Sequence, residues 1–350
     1  MRLKCGNTIL NRNEAIMTTY ARAHTNIALI KYWGKANRKL MLPATSSISL
    51  TLNDFYTDTA VTFDPSLNDD RFMLNGEEQN PVAVSRFLDR VRHLGKISTY
   101  AQVTSLNHVP TAAGLASSAS AFAALATAAS RAAGLNLSPT ELSRLARRGS
   151  GSATRSIFGG AVIWHRGHDD TSSFAEPLAI QPSLPLRMLV VTVSAEKKAV
   201  SSRKGMANTV ATSPYYDAWV ASNESLIEPM ITALAEDDLA LIGKLTELSS
   251  MRMHAAIMAE EPPFTYFLPE TLRAWQLVQE QRALGIPAFA TMDAGPNVKI
   301  LTTEPYVDIL LTALRPVFGD RILSTRLGPD ASIITKEQFD DTKSAIASQG

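Results

Sequence analysis

Basic residues of this chain lie in three separate polar loops beside small residues: Lys31 and Lys35 share the first, and Arg155 and Arg203 lie in the other two. Taken singly, each is equally well explained by a solvated surface. Their position next to Gly- and Ser-rich loops favours a shared role, because a substrate with several phosphates requires cations that converge on it. Arginine adds bidentate recognition of a carboxylate or phosphate. The set therefore predicts a site for a polyanionic substrate.

Asp293 is the acidic counterpart of these cations. It follows the apolar run Ala288–Met292 and precedes Gly295-Pro296, so its carboxylate is predicted to lie in a tight turn at the end of a strand. An aspartate in such a turn commonly bonds its own backbone. In a catalytic role it would orient an attacking hydroxyl or accept its proton. Lys31 would then keep Asp293 ionised and offset charge on a transferring phosphoryl group.

A small-residue loop, Pro110-Thr-Ala-Ala-Gly-Leu-Ala-Ser-Ser-Ala-Ser120, leads into Ala119–Ala133, a run without Pro or Gly that has one apolar helical face. Small side chains let a ligand approach the backbone, and the first N–H groups of a helix are free donors at its positive end. The hydroxyls of Ser117, Ser118 and Ser120 can reach phosphate oxygens or a bound Mg²⁺. The stretch predicts a polyphosphate cradle, with a serine-capped core helix as the alternative. It matches neither the Walker pattern nor the dinucleotide fingerprint.

A second polar loop, Arg147–Ser156, has glycines at alternate positions with hydroxyls between them, including Ser150 and Ser152. It follows a predicted helix that begins with Ser138-Pro-Thr-Glu, a pattern with an N-cap serine, a proline at the first position and a glutamate at the third. A third polar stretch, Lys197–Met206, is predicted as a loop that carries Arg203. These loops are the predicted neighbours of the bound anion.

The strands and helices predicted from hydrophobic periodicity alternate irregularly, which favours an α+β fold over a doubly wound parallel sheet. The Pro-rich connection Glu176–Pro185 divides a domain of residues 17–184 from one of 185–350. The predicted strands are Thr18–Ile30, Ser46–Leu52, Tyr56–Phe63, Phe72–Leu74, Tyr100–Ser105, Ala161–His165, Arg187–Ser194, Ala288–Met292 and Val298–Thr302, and the predicted helices are Val82–Leu94, Ala119–Ala133, Ser138–Arg148, Tyr215–Ala235, Asp238–Met258 and Pro269–Leu284.

The composition limits the class of protein. The 350 residues are 45% hydrophobic, which is ample for a large core, and 34 basic against 33 acidic residues give a net charge of +1. The sequence has no long run of one charge and no apolar run long enough to span a membrane. Neither nucleic acid nor a membrane is therefore predicted as a partner. The single cysteine, Cys5, fits a reducing compartment and predicts a cytoplasmic protein. Residues 1–16 have no signal-peptide pattern, so we expect a disordered extension with Met17 as the natural start.

Five segments together resemble the mevalonate diphosphate decarboxylases, a family within the GHMP kinase superfamily. They are Asn26-Ile-Ala-Leu-Ile-Lys-Tyr-Trp-Gly-Lys35, the stretch from Pro110 to Ser120, Arg148-Gly-Ser-Gly-Ser-Ala-Thr-Arg155, Val200-Ser-Ser-Arg203 and Met292-Asp-Ala-Gly-Pro-Asn297. The resemblance runs from about Ala21 to beyond Gly328. It implies a two-domain GHMP fold with the active site in the cleft between the domains.

The resemblance also implies an ATP- and Mg²⁺-dependent reaction in which the C3 hydroxyl of mevalonate 5-diphosphate is phosphorylated, after which phosphate and CO₂ leave to give isopentenyl diphosphate. By the matching motifs, Asp293, Lys31 and Arg155 would be catalytic, with Arg155 on the substrate carboxylate. Substrate binding would involve Tyr32, Lys35, Ser150, Ser152, Arg155, Ser202 and Arg203. The nucleotide would contact Ser105, Asn107, Pro110, Gly114, Leu115, Ala116, Ser117, Ser118 and Ser120, with Ser118 also near Mg²⁺. A homodimer is implied as well.

Two alternatives remain at this point. The first is a related enzyme of the same fold that acts on mevalonate or mevalonate 5-phosphate, or that phosphorylates without decarboxylation. Arg155 with Asp293 favours decarboxylation, whereas Ser202 and Arg203 favour a diphosphate substrate. The second is a catalytically silent nucleotide-binding regulator, which would need neither Lys31 nor Asp293.

Overall fold

The computed structural model describes residues 17–108, 117–196 and 200–348. The strands are β1 (Thr19–Ile30), β2 (Lys35–Asn37), β3 (Leu42–Pro43), β4 (Ser47–Phe63), β5 (Arg71–Leu74), β6 (Glu77–Gln79), β7 (Ala101–His108), β8 (Ala161–Trp164), β9 (Ala175–Pro177), β10 (Leu186–Val191), β11 (Phe289–Met292), β12 (Val298–Thr303), β13 (Ile322–Arg326) and β14 (Ser332–Ile334). The helices are α1 (Val82–Gly95), α2 (Ser118–Ala132), α3 (Pro139–Arg147), α4 (Ser202–Thr212), α5 (Tyr216–Glu224), α6 (Ile227–Ala235), α7 (Leu239–Met258), α8 (Pro269–Ala283), α9 (Val307–Phe318) and α10 (Lys336–Ala347), with 3₁₀ turns at Gly151–Ile157 and Glu304–Tyr306. None of the described helices is long and apolar enough to cross a bilayer.

The first sheet has the strand order β14-β1-β4-β7-β5-β6, and β8 and β9 extend it from β4. Its long strands β1 and β4 pair antiparallel, with a register shift between His24 and Asn26. One face of the sheet packs on α1, α2 and α3 through residues such as Phe87, Val103 and Leu125. This packing places the start of α2 and the 3₁₀ turn beside the end of β1.

The second sheet has the order β11-β12-β10-β13, and its pairings are antiparallel. Leu189 and Ile300 on its strands pack with Leu314 of α9. A separate cluster, which includes Leu50 of β4 and Met230 of α6, joins the two halves of the chain. The carboxyl end of β11, where Asp293 follows Met292, is thereby held next to the end of β1.

The last described segment returns to the first sheet. Tyr20 of β1 pairs with Ile334 of β14, and the rings of Tyr20 and Phe339 of α10 lie 5.2 Å apart. Apart from β14 and the β2–β3 pair, the strands up to β9 belong to the first sheet and those from β10 onward to the second. This change of sheet lies close to the predicted boundary at residue 184. The division into 17–184 and 185–350 as two folding units stays a prediction, and the segment at 1–16 lies outside the described residues.

Most of the predicted elements are confirmed, and three need correction. The strands predicted at Ser46–Leu52 and Tyr56–Phe63 are one strand, β4, because the partner strand β1 continues across the polar Asn53-Asp54 step. The predicted helix Tyr215–Ala235 is two helices, α5 and α6. It breaks where the carboxylate of Glu224 accepts hydrogen bonds from the backbone and hydroxyl of Ser46.

The third correction concerns the stretch predicted as a loop at Lys197–Met206, of which residues 197–199 lie outside the described residues. Helix α4 begins at Ser202, because the Ser201 side chain caps it by accepting a hydrogen bond from the backbone of Lys204 at 3.3 Å. The sequence patterns predict no element beyond residue 302, whereas α9, β13, β14 and α10 lie there. Helix α10 has a visible signal, a capping box between Thr335 and Gln338.

Candidate active site

A cleft of about 540 Å³ lies between the two halves of the chain and brings together most of the predicted site. Strand β1 and the segment after it contribute one wall, and the Asp293 turn and α4 contribute the other. The predicted residues that line it are Lys31, Tyr32, Lys35, Ser117, Ser118, Ser150, Ser152, Arg155, Ser202, Arg203 and Asp293. The predicted polar loops therefore converge on one site.

Asp293 is held between two buried lysines. Its Oδ1 accepts a hydrogen bond from Lys31 Nζ at 2.7 Å, and its Oδ2 lies 3.3 Å from Lys299 Nζ. The lysine side chains are almost fully buried, whereas 35% of the Asp293 side chain is exposed, on the cleft side. The sequence left open an aspartate that bonds its own backbone in a turn. In the structure the carboxylate oxygens instead bind the two ammonium groups.

This clamp fixes the protonation of Asp293. Burial by itself would raise the pKa of the carboxyl group, but the positive charges and hydrogen bonds of Lys31 and Lys299 outweigh it and hold the pKa well below its usual range. Burial lowers the pKa of Lys31, and the charge of Asp293 partly offsets this effect. The predicted role of Lys31, to keep Asp293 ionised, agrees with this arrangement.

Hydrogen bonds from other elements position both partners. The backbone N–H of Lys31 donates to the hydroxyl of Ser249 at 2.9 Å, and the carbonyl of Lys31 accepts from the Asn223 amide at 2.9 Å. On the Asp293 side, Oδ1 of Asn297 accepts from the backbone of Val193 at 2.8 Å, which ties the turn to the end of β10. The clamp is therefore preorganised by α5, α7 and β10.

Arg155 is a buried cation that has no carboxylate within 4.0 Å in the described part of the chain. Its Nε and Nη2 donate to Oδ1 of Asn26 at 3.2 and 3.1 Å, and Nη1 donates to the hydroxyl of Ser47 at 2.6 Å. Burial lowers the pKa of Arg155 to about 10, so it stays protonated at neutral pH. A buried charge that is hydrogen-bonded but not neutralised is suited to an anionic ligand.

The predicted diphosphate side of the cleft is more open. The hydroxyls of Ser150 and Ser152 lie 3.3 Å apart, and Lys35 is partly exposed. Arg203, in the first turn of α4, is exposed. Gly151 lets the loop approach closely, because a Cβ there would lie 2.8 Å from the Tyr32 hydroxyl. Burial raises the pKa of Tyr32 well above its usual value, so its hydroxyl is a neutral donor.

The predicted nucleotide residues are placed differently from one another. Ser117, which makes no side-chain cap, and the exposed Ser118 line the cleft at the start of α2. Ser120 is fully buried, and its hydroxyl lies 2.8 Å from that of Thr57 in the sheet. Ser105 is also buried, with its hydroxyl 2.9 Å from that of Thr59, and Asn107 accepts from Thr57 at 2.9 Å. Pro110, Gly114, Leu115 and Ala116 lie outside the described residues.

The described ranges hold no group of three His, Cys, Asp or Glu that could bind a metal ion. Mg²⁺ commonly keeps several waters and binds one or two protein oxygens together with substrate phosphates. The exposed hydroxyl of Ser118 beside free helix N–H groups fits a Mg²⁺ ion that is bound mainly through nucleotide phosphates.

Sequence reasoning missed three residues of this site. Lys299 carries the signal of a single charge inside the apolar strand β12, yet its partner could be identified only once the strands were placed. Asn223 positions Lys31 from α5. His254 of α7 is buried and donates from Nε2 to the carbonyl of Met292, and burial together with nearby Lys31 lowers its pKa to about 3. His254 is therefore neutral.

Comparisons with known proteins identify the family. The family model for the diphosphomevalonate decarboxylase-like N-terminal domain matches residues 23–175, and that for the mevalonate 5-diphosphate decarboxylase C-terminal domain matches residues 188–347. The diphosphomevalonate decarboxylase of Schizosaccharomyces pombe is 38% identical over 321 residues, which are 84% of this chain and 81% of that protein. The Rattus norvegicus enzyme is 36% identical over 330 residues, which are 86% of this chain and 82% of that protein.

Solved structures give the same answer. The mevalonate diphosphate decarboxylase of Staphylococcus aureus aligns with a TM-score of 0.88 at 42% identity, over 92% of this chain and 99% of that one. A complex of the protein abbreviated MDDEF with MVAPP, AMPPCP and magnesium aligns with a TM-score of 0.88 at 47% identity, over 92% and 100% of the two chains. The expected α+β, two-domain GHMP kinase fold is confirmed. By both family models and by these relatives, the chain belongs to the diphosphomevalonate decarboxylase family.

Proposed function

We propose that the cleft binds mevalonate 5-diphosphate and ATP, phosphorylates the C3 hydroxyl, and releases ADP, phosphate, CO₂ and isopentenyl diphosphate. One observation carries the proposal: the Asp293–Lys31 pair, joined at 2.7 Å, lies in the same cleft as the unneutralised Arg155. The first can act on a hydroxyl and the second on a carboxylate. A substrate that carries both groups fits this arrangement.

In the phosphorylation step, Asp293 would orient the C3 hydroxyl toward the γ-phosphate. With its pKa held low, Asp293 is a weak base, but phosphoryl transfer through a loose transition state depends mainly on positioning and charge stabilisation. The C3 oxygen forms its bond to the γ-phosphorus, the bond from that phosphorus to the β–γ bridging oxygen breaks, and ADP departs with the electron pair. The hydroxyl proton passes to an oxygen of the transferred phosphate, which is more basic than Asp293. Lys31 would offset the negative charge on the transferring group.

In the elimination step, the C3–O bond breaks and phosphate leaves with the electron pair. Positive charge develops at C3, where the ionised Asp293 stabilises it. The bond between C2 and the carboxyl carbon then supplies the electrons of the new double bond, and CO₂ leaves. Arg155 would hold the carboxylate so that the breaking bond is aligned with the empty orbital at C3. Lys299 is a positioning residue that keeps Asp293 ionised through both steps.

The binding roles are proposed from the cleft lining and the family motifs. Tyr32, Lys35, Ser150, Ser152, Ser202 and Arg203 would bind the diphosphate, with Ser150 and Ser152 next to Arg155. Ser117 and Ser118 would contact the nucleotide phosphates, and Ser118 a Mg²⁺ that offsets their charge when bound. Roles for Ser105, Asn107, Pro110, Gly114, Leu115, Ala116 and Ser120 at the nucleotide stay predictions, as do the homodimer and the cytoplasmic location.

The decisive experiment follows ADP and CO₂ together with mevalonate, its 5-phosphate and its 5-diphosphate as substrates. We expect equal yields of ADP and CO₂ with the 5-diphosphate. ADP without CO₂ would identify a kinase of the same fold, and a preference for the 5-phosphate would identify a related decarboxylase. Retention of nucleotide binding with no turnover on any of the three substrates would favour the silent regulator.

A further inference from the structure

Strand β11, which ends one residue before Asp293, lies at the edge of the second sheet, and β12 is its one neighbour among the described strands. The backbone groups along its outer edge therefore need other partners. Side chains of α7 supply them. The N–H of Ala290 donates to Oε1 of Glu247 at 2.9 Å, and the N–H of Met292 donates to the hydroxyl of Ser250 at 2.9 Å. Helix α7 thus takes the place of a neighbouring strand.

The carbonyl of Met292 accepts two further hydrogen bonds from α7. The hydroxyl of Ser250 donates at 3.1 Å, and Nε2 of the fully buried His254 donates at 3.3 Å. This carbonyl belongs to the peptide unit that joins Met292 to Asp293. Because a peptide unit is planar, the orientation of the carbonyl fixes the backbone nitrogen and Cα of Asp293. The contacts with α7 therefore determine where the Asp293 side chain starts.

All of these contacts come from one face of α7. Gly243, Glu247, Ser250 and His254 are spaced by four, three and four residues, so they form a single row along the helix. Gly243 allows the helix to approach the strand closely, because a Cβ at this position would collide with the ring of Phe289. The close approach explains how a side chain as short as serine reaches the backbone of β11.

The preceding residue, Ser249, makes the corresponding contact with the other partner of the catalytic pair. Its hydroxyl accepts from the backbone N–H of Lys31 and donates to Oδ1 of Asn223 at 2.7 Å. Two consecutive serines of α7 thus hold the backbone of Lys31 and the backbone next to Asp293. A single turn of helix sets the distance between the two backbones that carry the pair.

We propose that Ser250 and His254 are positioning residues for the reaction: by fixing the Met292–Asp293 peptide on α7, they set the direction in which Asp293 presents its carboxylate to Lys31 and to the substrate hydroxyl. The inference rests on the proposed function and deepens it. Buried polar side chains are costly unless they are hydrogen-bonded. On the buried face of α7, those of Ser250 and His254 bond the one peptide unit that carries Asp293.

The test compares Ser250→Ala with Ser143→Ala. Ser143 of α3 makes the same kind of contact outside the cleft lining: its hydroxyl accepts from the backbone N–H of Ala175 in β9 at 3.2 Å and lies 3.4 Å from the carbonyl oxygen of the same residue. Both serines are fully buried. We expect kcat of Ser250→Ala to fall about tenfold, with KM for the 5-diphosphate and for ATP within about twofold, because the rate depends steeply on the position of Asp293. Ser143→Ala should keep the kcat of the wild type.

A pair of variants at His254 tests the second donor. His254→Gln keeps an N–H donor near the position of Nε2, whereas His254→Leu removes it. Because His254 is neutral, neither variant changes the charge of the site. We expect His254→Leu to lower kcat about tenfold and His254→Gln to recover most of this loss. Thermal unfolding of all four variants checks that they fold, and Ser250→Ala carries the test if His254→Leu does not.

Amide hydrogen exchange without substrate keeps this test distinct from that of the proposed function. In Ser250→Ala, the backbone of residues 292–297 should exchange about three- to tenfold faster than in the wild type, the change expected for a local opening that loses one hydrogen bond. Ser143→Ala should leave these residues unchanged. Unchanged exchange in Ser250→Ala would overturn the inference even if no mevalonate ester is turned over.

Three kinetic results would also overturn the inference. The first is an equal loss of kcat in Ser250→Ala and Ser143→Ala, which would reflect packing alone. The second is a loss that falls on KM. The third is a wild-type kcat in Ser250→Ala despite faster exchange, because the turn would then move without consequence for the reaction.

Discussion

At the Asp293 end of the cleft the charged side chains are buried and held by hydrogen bonds, whereas at the Arg203 end they are exposed and carry no carboxylate partner among the described residues. Lys31 and Lys299 bind both oxygens of Asp293, and Asn26 and Ser47 fix Arg155. Arg203 projects from the first turn of α4 and is exposed. The first region is assembled without a ligand, and under the proposed function the substrate would complete the second.

This difference assigns different work to the two ends. Fixed charges in a water-poor site are aimed where charge develops in the transition state, so they act on the chemical step. Exposed cations attract and hold an anion, and salt screens them over about 8 Å at physiological ionic strength. Substitutions at the Asp293 end should therefore lower kcat, and substitutions at the Arg203 end should raise KM.

The largest effect is expected for Asp293→Asn, which keeps the shape of the side chain and removes its charge. We expect kcat to fall by about 1,000-fold or more with a small change in KM, because both the orientation of the hydroxyl and the stabilisation of C3 are lost. Steady-state CO₂ release measures this. Asp308→Asn, at an exposed position of α9, is the matched control. Near-normal turnover in Asp293→Asn would show that the clamp is structural.

Arg155→Gln tests the other buried charge. We expect kcat/KM for the 5-diphosphate to fall about 100-fold, since a bidentate partner of the carboxylate is removed. The temperature of thermal unfolding should not fall, because the wild type keeps a buried cation that has no carboxylate partner among the described residues. Activity and unfolding are measured on the same preparation, with Arg315→Gln on α9 as the control. A clear loss of stability would mean that Arg155 serves mainly the packing of β1 and β4.

Lys299→Met should move the pH dependence of kcat. Asp293 is faced by Lys31, Lys299, Arg155 and the neutral His254, and loss of one ammonium group raises the Asp293 pKa. The acid limb of the profile should therefore shift to higher pH, with a loss of about tenfold or less at neutral pH. The low pKa of Asp293 in the folded protein stabilises the fold at pH values above its pKa in the unfolded chain, and this stabilisation is lost as the pH falls through the folded-state pKa. In Lys299→Met this contribution to the free energy of unfolding should be smaller.

The control for this variant is Lys244→Met, at an exposed position of α7. Lys299→Arg should restore most of the wild-type profile, since it returns the charge. A uniform loss of activity with an unshifted acid limb would count against a role for Lys299 in the ionisation of Asp293.

The smallest effect is expected at the exposed end. Arg203→Gln should raise the KM for the 5-diphosphate about tenfold and leave kcat within about twofold, because the cation contributes to binding rather than to the chemical step. Added salt should narrow the gap between variant and wild type. Lys343→Gln, which removes the same charge on α10, is the control. A loss that falls mainly on kcat would erase the contrast between the two ends.

The residues with local signatures were predictable. Asp293 at a strand end, the Gly-Ser loop before Arg155 and the capped start of α3 each depend on a few neighbouring positions, and each lies in the structure where those patterns indicate. Helix periodicity also explains a difference that the prediction overlooked. Ser118 and Ser120 are two positions apart, so one faces the cleft and the other faces the sheet, where it meets Thr57.

The sequence by itself determined the helices and strands, the loops that carry binding and reactive side chains, and the family that these motifs indicate. Hydrophobic period, capping and motifs are short-range properties, so they can be found without the tertiary structure. Only the tertiary structure decided which charges meet. Lys31 and Asp293 are 262 positions apart, and they pair because β1 and β11 end at the same cleft. Packing likewise joined Lys299 to Asp293 and left Arg155 without a carboxylate within 4.0 Å among the described residues. Such pairings depend on strand order and helix docking, which no local pattern encodes.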